Sequence, residues 1–312
     1  MSAELHVIFG TGPLGHWTAK TLLALGRRVR MVNRSGTSAA APAGAELAQG
    51  DAYDQTSVRQ LTAGATAVYQ CAQPPYHQWE GNFPRLQQRI LEGAAAAGAK
   101  LIVAENLYAY GEPAGKAFTE QTPYAAHTKK GRIRQAMTEA LFAAHRRGDL
   151  RVASARGSDF FGPHDQISHQ MIFQPALRGR RLTMLGRLDQ PHTFTYVADF
   201  GRALATLGTD DRGLGRPWHV PSAPPVTQAQ LAALLAELLG RPVRASGAGA
   251  LLLRLVDLAS PAVAESVEML YEWSQPFVMD SRDFSQTFGS QPTPLRDALG
   301  ESLAWSRAQL GR

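Results

Sequence analysis

A glycine-rich turn near the start of the chain constrains the fold more than any other feature. Residues 5–9 form a mostly apolar run that predicts a buried strand, and Gly10, Gly12 and Gly15 follow in the spacing G-x-G-x-x-G. Residues 16–25 then carry apolar side chains at helical spacing. Strand, tight turn and helix are the context in which this spacing predicts a dinucleotide-binding site, with a turn that merely packs as the alternative.

Each glycine has a physical role in that prediction. Gly10 permits the sharp exit from the strand, Gly12 lets the backbone approach a pyrophosphate, and Gly15 lets the helix pack against the strand. The free N–H groups at the helix N-terminus then attract phosphate.

The end of the second predicted strand favours one dinucleotide over the other. Residues 28–32 predict this strand, and Asn33, Arg34 and Ser35 follow where NAD-binding folds normally carry an acidic residue for the ribose 2′-hydroxyl. A carboxylate would repel a 2′-phosphate, whereas a guanidinium pairs with it. The sequence therefore favours NADP(H), with NAD(H) as the alternative.

The remaining predicted cofactor contacts follow later strands. Asp51 either meets the adenine amino group or caps the next turn. The predicted cofactor-binding residues are Gly10, Thr11, Gly12, Pro13, Leu14, Gly15, Asn33, Arg34, Ser35, Asp51, Ala52, Cys71, Ala72 and Gln73.

Strands and helices alternate down to about residue 207, which predicts an α/β fold with a doubly wound parallel Rossmann sheet. Further strands are predicted at 45–48, 65–71, 100–104, 150–155, 193–197 and 218–220, and helices at 85–98, 128–145, 199–207, 227–239 and 299–310. Residues 251–273 predict two helical stretches broken at Pro261. We predict an NAD(P)-binding Rossmann domain over 1–162 and 191–220, and a smaller C-terminal substrate-binding lobe over 163–190 and 221–312.

Composition excludes several other classes of protein. Cys71 is the single cysteine among 312 residues, which excludes an internal disulfide and a cysteine-based zinc site. The net charge is +6, but the basic residues are scattered and no nucleic-acid motif is present. No apolar stretch is long enough to span a membrane. We expect a cytoplasmic monomer or homodimer that acts on a small molecule, without metal, nucleic acid or membrane.

The order of these signals resembles the extended short-chain dehydrogenase/reductase superfamily, and within it the NAD-dependent epimerase/dehydratase group. The resemblance rests on the glycine turn and on six further segments: residues 50–51, 69–72, 108–111, 156–163, 192–199 and 218–226. It covers nearly the whole chain. It implies a Rossmann core with a smaller lobe that closes over the substrate.

The sequence departs from this group in its proton relay. The superfamily uses Tyr-x-x-x-Lys on the helix after the fifth strand, where the lysine lowers the pKa of the tyrosine and holds the ribose. No such pair occurs in this chain. One alignment places Gly131 and Gln135 at the two positions, and another places Tyr124 at the first with Thr128 at the second. Lys129 lies one residue beyond the position of the lysine in this second alignment, and one residue rotates a side chain by about 100° around a helix.

Other residues are predicted to take over the catalytic role of the missing Tyr-x-x-x-Lys pair. Asn106 and Tyr108 follow the fifth strand, where a phenol can donate a proton to a carbonyl and an amide can hydrogen-bond to the same oxygen. Tyr124 is the second candidate for the acid, and a reaction without any protein acid is the remaining alternative. Lys130, one turn before Arg134, is predicted to reach the ribose or the substrate. For Tyr108 the alternative is an aromatic side chain that only packs.

The predicted substrate contacts come from loops. They are Asp159, Phe161, His164 and His192, with core or loop positions as the alternative. His164 and His169 are five residues apart, which is not the spacing of a metal-binding helical pair. We expect Glu105 to be a satisfied strand-end carboxylate, with a catalytic role as the alternative.

Three functions fit these observations. The first is an atypical NAD(P)-dependent oxidoreductase, NADP favoured, that transfers hydride to or from a small carbonyl or hydroxyl compound. The second is a sugar-nucleotide epimerase or dehydratase with an altered proton relay. The third is a non-catalytic NADP-sensing protein. The missing Tyr-x-x-x-Lys counts against the second.

Overall fold

The computed structural model describes residues 4–249 and 267–311, and its centre is a seven-stranded, entirely parallel sheet. The strands in chain order are β1 (Leu5–Phe9), β2 (Arg28–Asn33), β3 (Glu46–Gln49), β4 (Ala65–Gln70), β5 (Lys100–Asn106), β6 (Val152–Gly157), β7 (Asp159–Phe161), β8 (Leu182–Leu185), β9 (Phe194–Tyr196), β10 (Pro217–His219) and β11 (Ala245–Ala248). The sheet order is β3-β2-β1-β4-β5-β6-β10. Strand order therefore reverses between β1 and β4, where a doubly wound sheet opens its ligand crevice.

Helices cover both faces of this sheet because parallel strands need crossover connections. The longer helices are α1 (Pro13–Ala24), α2 (Gln55–Thr62), α3 (Trp79–Ala96), α4 (Lys129–Arg146), α5 (Val197–Thr209), α6 (Gln228–Leu239), α7 (Arg282–Phe288) and α8 (Leu295–Leu310). Leu22 of α1 and Phe200 of α5 are buried on one face. Val58, Ile90 and Leu141, from α2, α3 and α4, are buried on the other. The predicted doubly wound Rossmann sheet is confirmed.

The glycine turn after β1 has no room for side chains at two positions. Gly10 has φ +112°, and a Cβ there would lie 2.8 Å from the Ala72 backbone nitrogen. A Cβ on Gly15 would lie 2.1 Å from the Gly10 carbonyl oxygen. These contacts bring the start of α1 directly against the ends of β1 and β4.

Helix ends depart from the predicted boundaries for local reasons. The helix predicted at 85–98 begins at Trp79, but Glu80 and Gly81 have non-helical backbone angles. Regular helix therefore starts after Gly81, with Pro84 in its first turn, where no N–H is needed. The helix predicted at 227–239 is α6, and Thr227 caps it in a capping box with Gln230. Of the two helical stretches predicted over 251–273, residues 251–266 lie outside the described residues, and Leu270–Trp273 form a single 3-10 turn.

A second, smaller apolar core lies beyond the main sheet. It gathers Phe161, Leu182, Leu231 and Leu299. The two-stranded parallel sheets β7–β9 and β8–β11 supply part of it. The domain boundaries proposed from the sequence stay a prediction.

The placement of Phe161 in this core corrects the prediction that it contacts substrate. Its side chain is buried, with its ring centroid 5.5 Å from that of Tyr196. Successive residues of a strand face opposite sides, so the neighbouring Phe160 faces the crevice instead.

A buried ion pair joins the carboxyl ends of β5 and β6. The Arg156 Nε donates to Glu105 Oε2 at 3.0 Å, and both side chains are 1 % exposed. The same guanidinium donates to the hydroxyls of Tyr110 (2.7 Å) and Tyr124 (2.6 Å). Burial opposes ionisation of Glu105, but the Arg156 and Arg134 charges outweigh it and lower the pKa of this carboxyl. The expectation of a satisfied strand-end carboxylate describes this arrangement.

The ion pair extends into a chain of hydrogen bonds toward the C-terminal part. The His219 Nε2 and the Tyr110 hydroxyl lie 2.8 Å apart, and His219 Nδ1 lies 2.8 Å from the Asp280 carbonyl oxygen. Burial lowers the pKa of His219 to about 3, so the ring is neutral. Because a carbonyl only accepts, Nδ1 donates to Asp280 and Nε2 accepts from Tyr110.

We predict that Glu105→Gln destabilises the protein strongly. The change leaves two buried guanidinium groups without their carboxylate, a loss of about 3–5 kcal/mol in the free energy of unfolding, measured by urea denaturation. Glu237→Gln is the matched control. It breaks the exposed 2.6 Å pair with Arg296 and should cost less than about 1 kcal/mol. Equal losses for the two variants would contradict the account.

The difference in stability between wild type and Glu105→Gln depends on pH in a defined direction. Because the folded pKa of Glu105 is lowered, its stabilising contribution is present above the unfolded pKa of about 4.3 and is lost as the pH falls through the folded value. The stability difference between wild type and Glu105→Gln should therefore shrink in acid.

Candidate functional site

A groove crosses the carboxyl ends of β2, β1, β4 and β5, and it consists of three neighbouring cavities. The outer cavity has a volume of about 440 Å³, the central cavity about 550 Å³ and the inner cavity about 200 Å³. The outer and central cavities share Gly10, Ala72 and Gln73 in their linings. The central and inner cavities share Asn106 and Phe160. Together they form one continuous groove at the predicted crevice.

The outer cavity lies at the end of β2 and carries two guanidinium groups. Arg34 lines it from the loop after β2, and Arg85 lines it from α3. The Asp51 carboxylate also lines it, with Oδ1 accepting from the Tyr53 backbone N–H at 3.0 Å. Ala52 belongs to the same lining. The balance of charge in this cavity is thus positive.

Asn33 organises the loop rather than adding charge. Its Nδ2 donates to Thr11 Oγ1 (3.0 Å) and to the Thr37 carbonyl (2.8 Å), and its Oδ1 accepts from the Gly36 N–H (2.7 Å). Ser35 is exposed and hydrogen-bonds within this loop. The position that holds an acidic residue in NAD-binding folds is therefore neutral and occupied by local hydrogen bonds.

The central cavity contains the glycine turn and the N-terminus of α1. Thr11, Pro13 and Leu14 line it together with Gly12, which is the N-cap of α1. The helix has no side-chain cap and no acidic residue in its first turn. A Cβ on Gly12 would meet nothing within 4 Å, so this backbone faces open space. An uncapped N-terminus beside open backbone fits a pyrophosphate.

Two other predicted cofactor residues differ in their accessibility. Gly15 packs on Gly10 and lies beneath the groove. Cys71 lines the central cavity, and burial raises the pKa of its thiol to about 12. The thiol is therefore protonated at neutral pH and unreactive.

The inner cavity brings several hydrogen-bonding side chains together. Asn106 and Tyr108, the two residues predicted to lie after the fifth strand, line it together with Tyr76, Asp159 and Glu272. Burial raises the pKa of Tyr108 well above its ordinary value, so the phenol keeps its proton and acts as a hydrogen-bond donor. The Asn106 Oδ1 accepts from the Tyr108 N–H at 3.3 Å, which leaves the Nδ2 amide as its donor.

Two cations on α4 face this region. Arg134 lines the central cavity and is 3 % exposed. Its Nη2 donates to the Ala104 carbonyl at 3.1 Å, while Nε and Nη1 have no hydrogen-bond partner among the described residues. Lys130, one turn earlier, is buried with Nζ 4.8 Å from the Tyr76 ring centroid. The four-residue spacing places both on one helix face.

Tyr124 occupies a different place from the other catalytic candidates. Its hydroxyl accepts a hydrogen bond from Arg156, and it does not line any of the three cavities described here. The structure therefore places Tyr124 in the ion-pair network below the groove.

The predicted substrate residues divide between the groove and its support. Asp159 lines the inner cavity, and its Oδ2 lies 2.7 Å from His192 Nε2. His192 is buried behind it, stacked on Trp273 with ring centroids 3.8 Å apart. His164 lines the central cavity with φ +70° and stacks on His16 at 3.9 Å.

Several groove residues carry no local sequence signal. Arg85, Tyr76 and Trp79 come from α3 and the turn before it, and Glu272 comes from the C-terminal part. They follow no strand end of the main sheet and belong to no spacing motif. Only the fold brings them to the groove.

The described part of the chain offers neither a metal-binding cluster nor a membrane-spanning helix. Residues 4–249 and 267–311 contain no group of three or more His, Cys, Asp or Glu side chains arranged to hold a metal ion. In the same residues, each helix is too short or too polar to cross a membrane.

Comparison with known proteins identifies one similar sequence and several similar structures. An uncharacterised protein, y4nL of Sinorhizobium fredii, is 23% identical over 285 residues, covering 84% of this chain and 80% of that protein. The structure of MoeE5 in complex with UDP-glucose and NAD superposes with a TM-score of 0.80 at 21% identity, over 99% of this chain and 100% of that one. The structure of UDP-glucose 4-epimerase of Thermotoga maritima with UDP-glucose superposes with a TM-score of 0.79 at 17% identity, over 98% of this chain and 99% of that one.

The family itself follows from the sequence. The sequence model of the NAD-dependent epimerase/dehydratase family matches residues 7–220, which span the glycine turn, the strand ends of the groove and β10. The resemblance drawn from the motifs is confirmed, and the chain belongs to the NAD-dependent epimerase/dehydratase family.

Proposed function

We propose that this protein is a dinucleotide-dependent oxidoreductase, with NADP(H) preferred, that acts on a small carbonyl or hydroxyl compound. One observation carries the proposal. The groove runs without interruption from a positively charged outer cavity, past the open glycine turn, to a small inner cavity lined by hydrogen-bonding groups. That order of environments matches the order of adenosine phosphate, pyrophosphate and nicotinamide in a dinucleotide.

The chain's own residues fit the dinucleotide at each point. Arg34 and Arg85 suit a 2′-phosphate, because guanidinium groups pair with phosphate and no carboxylate stands at the end of β2. The N-terminus of α1 suits the pyrophosphate. Lys130 and Arg134 offer donors for the nicotinamide ribose. When bound, the cofactor supplies or accepts a hydride.

The same two cations support a rearranged relay on α4. A Cβ on Gly131 would lie 2.8 Å from the Tyr108 carbonyl oxygen, so this position leaves no space for a tyrosine side chain. Lys130 precedes it, with Nζ beside the Tyr76 ring, and Arg134 follows it in the lining of the central cavity. In this proposal the helix orients the cofactor with cations, and the groups that act on the substrate oxygen come from elsewhere.

Those groups include Asn106 and Tyr108. The phenol of Tyr108 stays protonated, and the Asn106 amide retains its donor, so both can hydrogen-bond to an oxygen on which negative charge develops. The inner cavity, about 200 Å³, is smaller than the usual range for drug-sized ligands, so the space left beside a nicotinamide suits only a compound of few heavy atoms.

A second candidate, a sugar-nucleotide epimerase or dehydratase, is favoured by the structural neighbours. MoeE5 holds UDP-glucose and NAD, and the Thermotoga maritima epimerase holds UDP-glucose. A titration with UDP-glucose and dTDP-glucose in the presence of NAD separates the candidates. The third candidate, a sensor, would bind NADPH and turn over none of the carbonyl or sugar-nucleotide probes.

We predict that Arg34→Ala weakens NADPH binding selectively. The loss of one charge-assisted contact to the 2′-phosphate, worth about 1.5–3 kcal/mol, corresponds to about 10- to 100-fold in Kd, measured by fluorescence titration. NADH binding should change little. Arg59→Ala on the exposed side of α2 is the control. Equal weakening of NADPH and NADH would remove Arg34 from 2′-phosphate recognition.

We also predict that Tyr108→Phe lowers turnover by about 10²-fold, because one donor to the substrate oxygen is lost. The assay follows NADPH oxidation with the best aldehyde or ketone from a panel of small carbonyl compounds. Tyr124→Phe is the comparison, since its hydroxyl binds Arg156, and its turnover should stay within a few-fold of wild type. The reverse order of effects would assign the role to Tyr124.

A further inference from the structure

Glu272 is an acidic side chain of the C-terminal part that reaches the inner cavity. It lies on the single helical turn Leu270–Trp273 and is 2 % exposed. Its Oε1 is buried and has no hydrogen-bond partner among the described residues. A buried carboxyl oxygen without a partner is costly to maintain, and in a cavity it is available to a ligand.

The segment that carries Glu272 is fixed on the side of α4. The Glu268 carboxylate accepts from the backbone N–H groups of Lys129 (2.7 Å) and Lys130 (3.1 Å). These are the first N–H groups of the helix, which have no partner within the helix itself. A carboxylate at a helix N-terminus is also favoured by the helix dipole. This contact holds the chain just before Glu272.

The chain just after Glu272 is fixed on the other side of the cavity. Trp273 stacks on His192 at an interplanar angle of 4°, and His192 is hydrogen-bonded to Asp159. The Glu272 side chain is therefore held between two anchors rather than left on a free loop. Such support is what a group needs if it is to act at a defined position.

The surroundings of Glu272 raise its pKa. Burial raises this pKa well above its ordinary value and the nearby Asp159 charge raises it further, while the neighbouring Tyr271 hydroxyl acts in the opposite direction. Tyr76, Tyr108 and Tyr271 also face this region, and burial raises the pKa of each phenol. A phenol whose pKa is raised above 10 gives up its proton only with difficulty.

We propose that Glu272 is the catalytic acid–base residue of the inner cavity, exchanging a proton with the oxygen of the substrate. The inference rests on the proposed function. In the direction of reduction, the carbonyl carbon gains the hydride that the reduced dinucleotide supplies, and the carbonyl π electrons move to oxygen. That oxygen takes the Glu272 proton to form the alcohol. The resulting carboxylate is reprotonated from water, and the dinucleotide is left oxidised.

This assignment separates two tasks that the superfamily's Tyr-x-x-x-Lys helix combines. In this chain Lys130 and Arg134 on α4 serve the cofactor, and the proton comes from across the cleft. Asn106 and Tyr108 hydrogen-bond to the substrate oxygen while Glu272 transfers the proton.

The test compares wild type, Glu272→Gln and Glu272→Asp as full-length proteins. Infrared difference spectra between wild type and Glu272→Gln at neutral pH should contain the band of a protonated carboxyl group. With NADPH and glyceraldehyde plus a panel of small ketones as probes, Glu272→Gln should lose about 10²-fold in kcat/KM. In wild type the rate should fall as the pH rises through the Glu272 titration seen by infrared, and in Glu272→Gln this alkaline limb should be absent. Glu272→Asp should recover part of the rate.

Each outcome decides the proposal. Tyr108→Phe should lower the rate without moving the pH profile, and Glu237→Gln on the exposed face of α6 should behave as wild type. An ionised Glu272 at neutral pH, or a Glu272→Gln variant as fast as wild type, would overturn the acid–base assignment. Wild-type protein that binds no dinucleotide, or that reduces none of the probes, contradicts the proposed function and this inference with it. That failure is visible in wild type alone.

Discussion

The buried pair of Glu105 and Arg156 is the interaction on which the groove depends. It ties the carboxyl ends of β5 and β6 together, and the next residue after Glu105 is Asn106, which lines two of the three cavities. A buried ion pair contributes little net stability, because desolvation of both charges offsets their attraction. Its effect is to specify geometry: removing either partner leaves an uncompensated charge, so the strand ends have one acceptable arrangement.

The same network reaches beyond the sheet. Arg156 binds the Tyr110 hydroxyl, Tyr110 donates to His219, and His219 donates to the Asp280 carbonyl. The groove floor and the C-terminal segment are therefore connected by hydrogen bonds in which every donor has a defined acceptor. Because the His219 ring is neutral, this connection does not change in the physiological pH range.

Charge is distributed unevenly along the groove. Guanidinium groups and the α1 N-terminus dominate the outer and central parts, where a dinucleotide carries its phosphates. At the inner end the lining instead carries the carboxyl groups of Asp159 and Glu272. This distribution favours anionic phosphate at the outer end, and burial beside Asp159 favours the protonated form of Glu272 at the inner end. In the proposed function, one cleft serves both cofactor binding and proton transfer.

The sequence predicted the parts of this arrangement that are local. The glycine turn, the alternation of strands and helices, and the rule that ligands meet strand ends were enough to place Gly12, Arg34 and Asn106 at the groove. Strand periodicity predicts that Phe160 and Phe161 face opposite sides of the strand, but it does not predict which side faces the crevice. The prediction for Phe161 was wrong for this reason. Glu272 was not predicted, because its approach to Asn106 depends on packing between distant segments.

The most direct test of the account is a fluorescence and thermal-shift titration of the wild-type protein with NADPH, NADP, NADH and NAD at matched concentrations. We predict saturable binding, with NADPH bound more tightly than NADH and NADP more tightly than NAD. Binding that is equal for all four would contradict the role of the outer cavity in recognising the 2′-phosphate. No binding of any of the four would contradict the assignment of the groove to a dinucleotide.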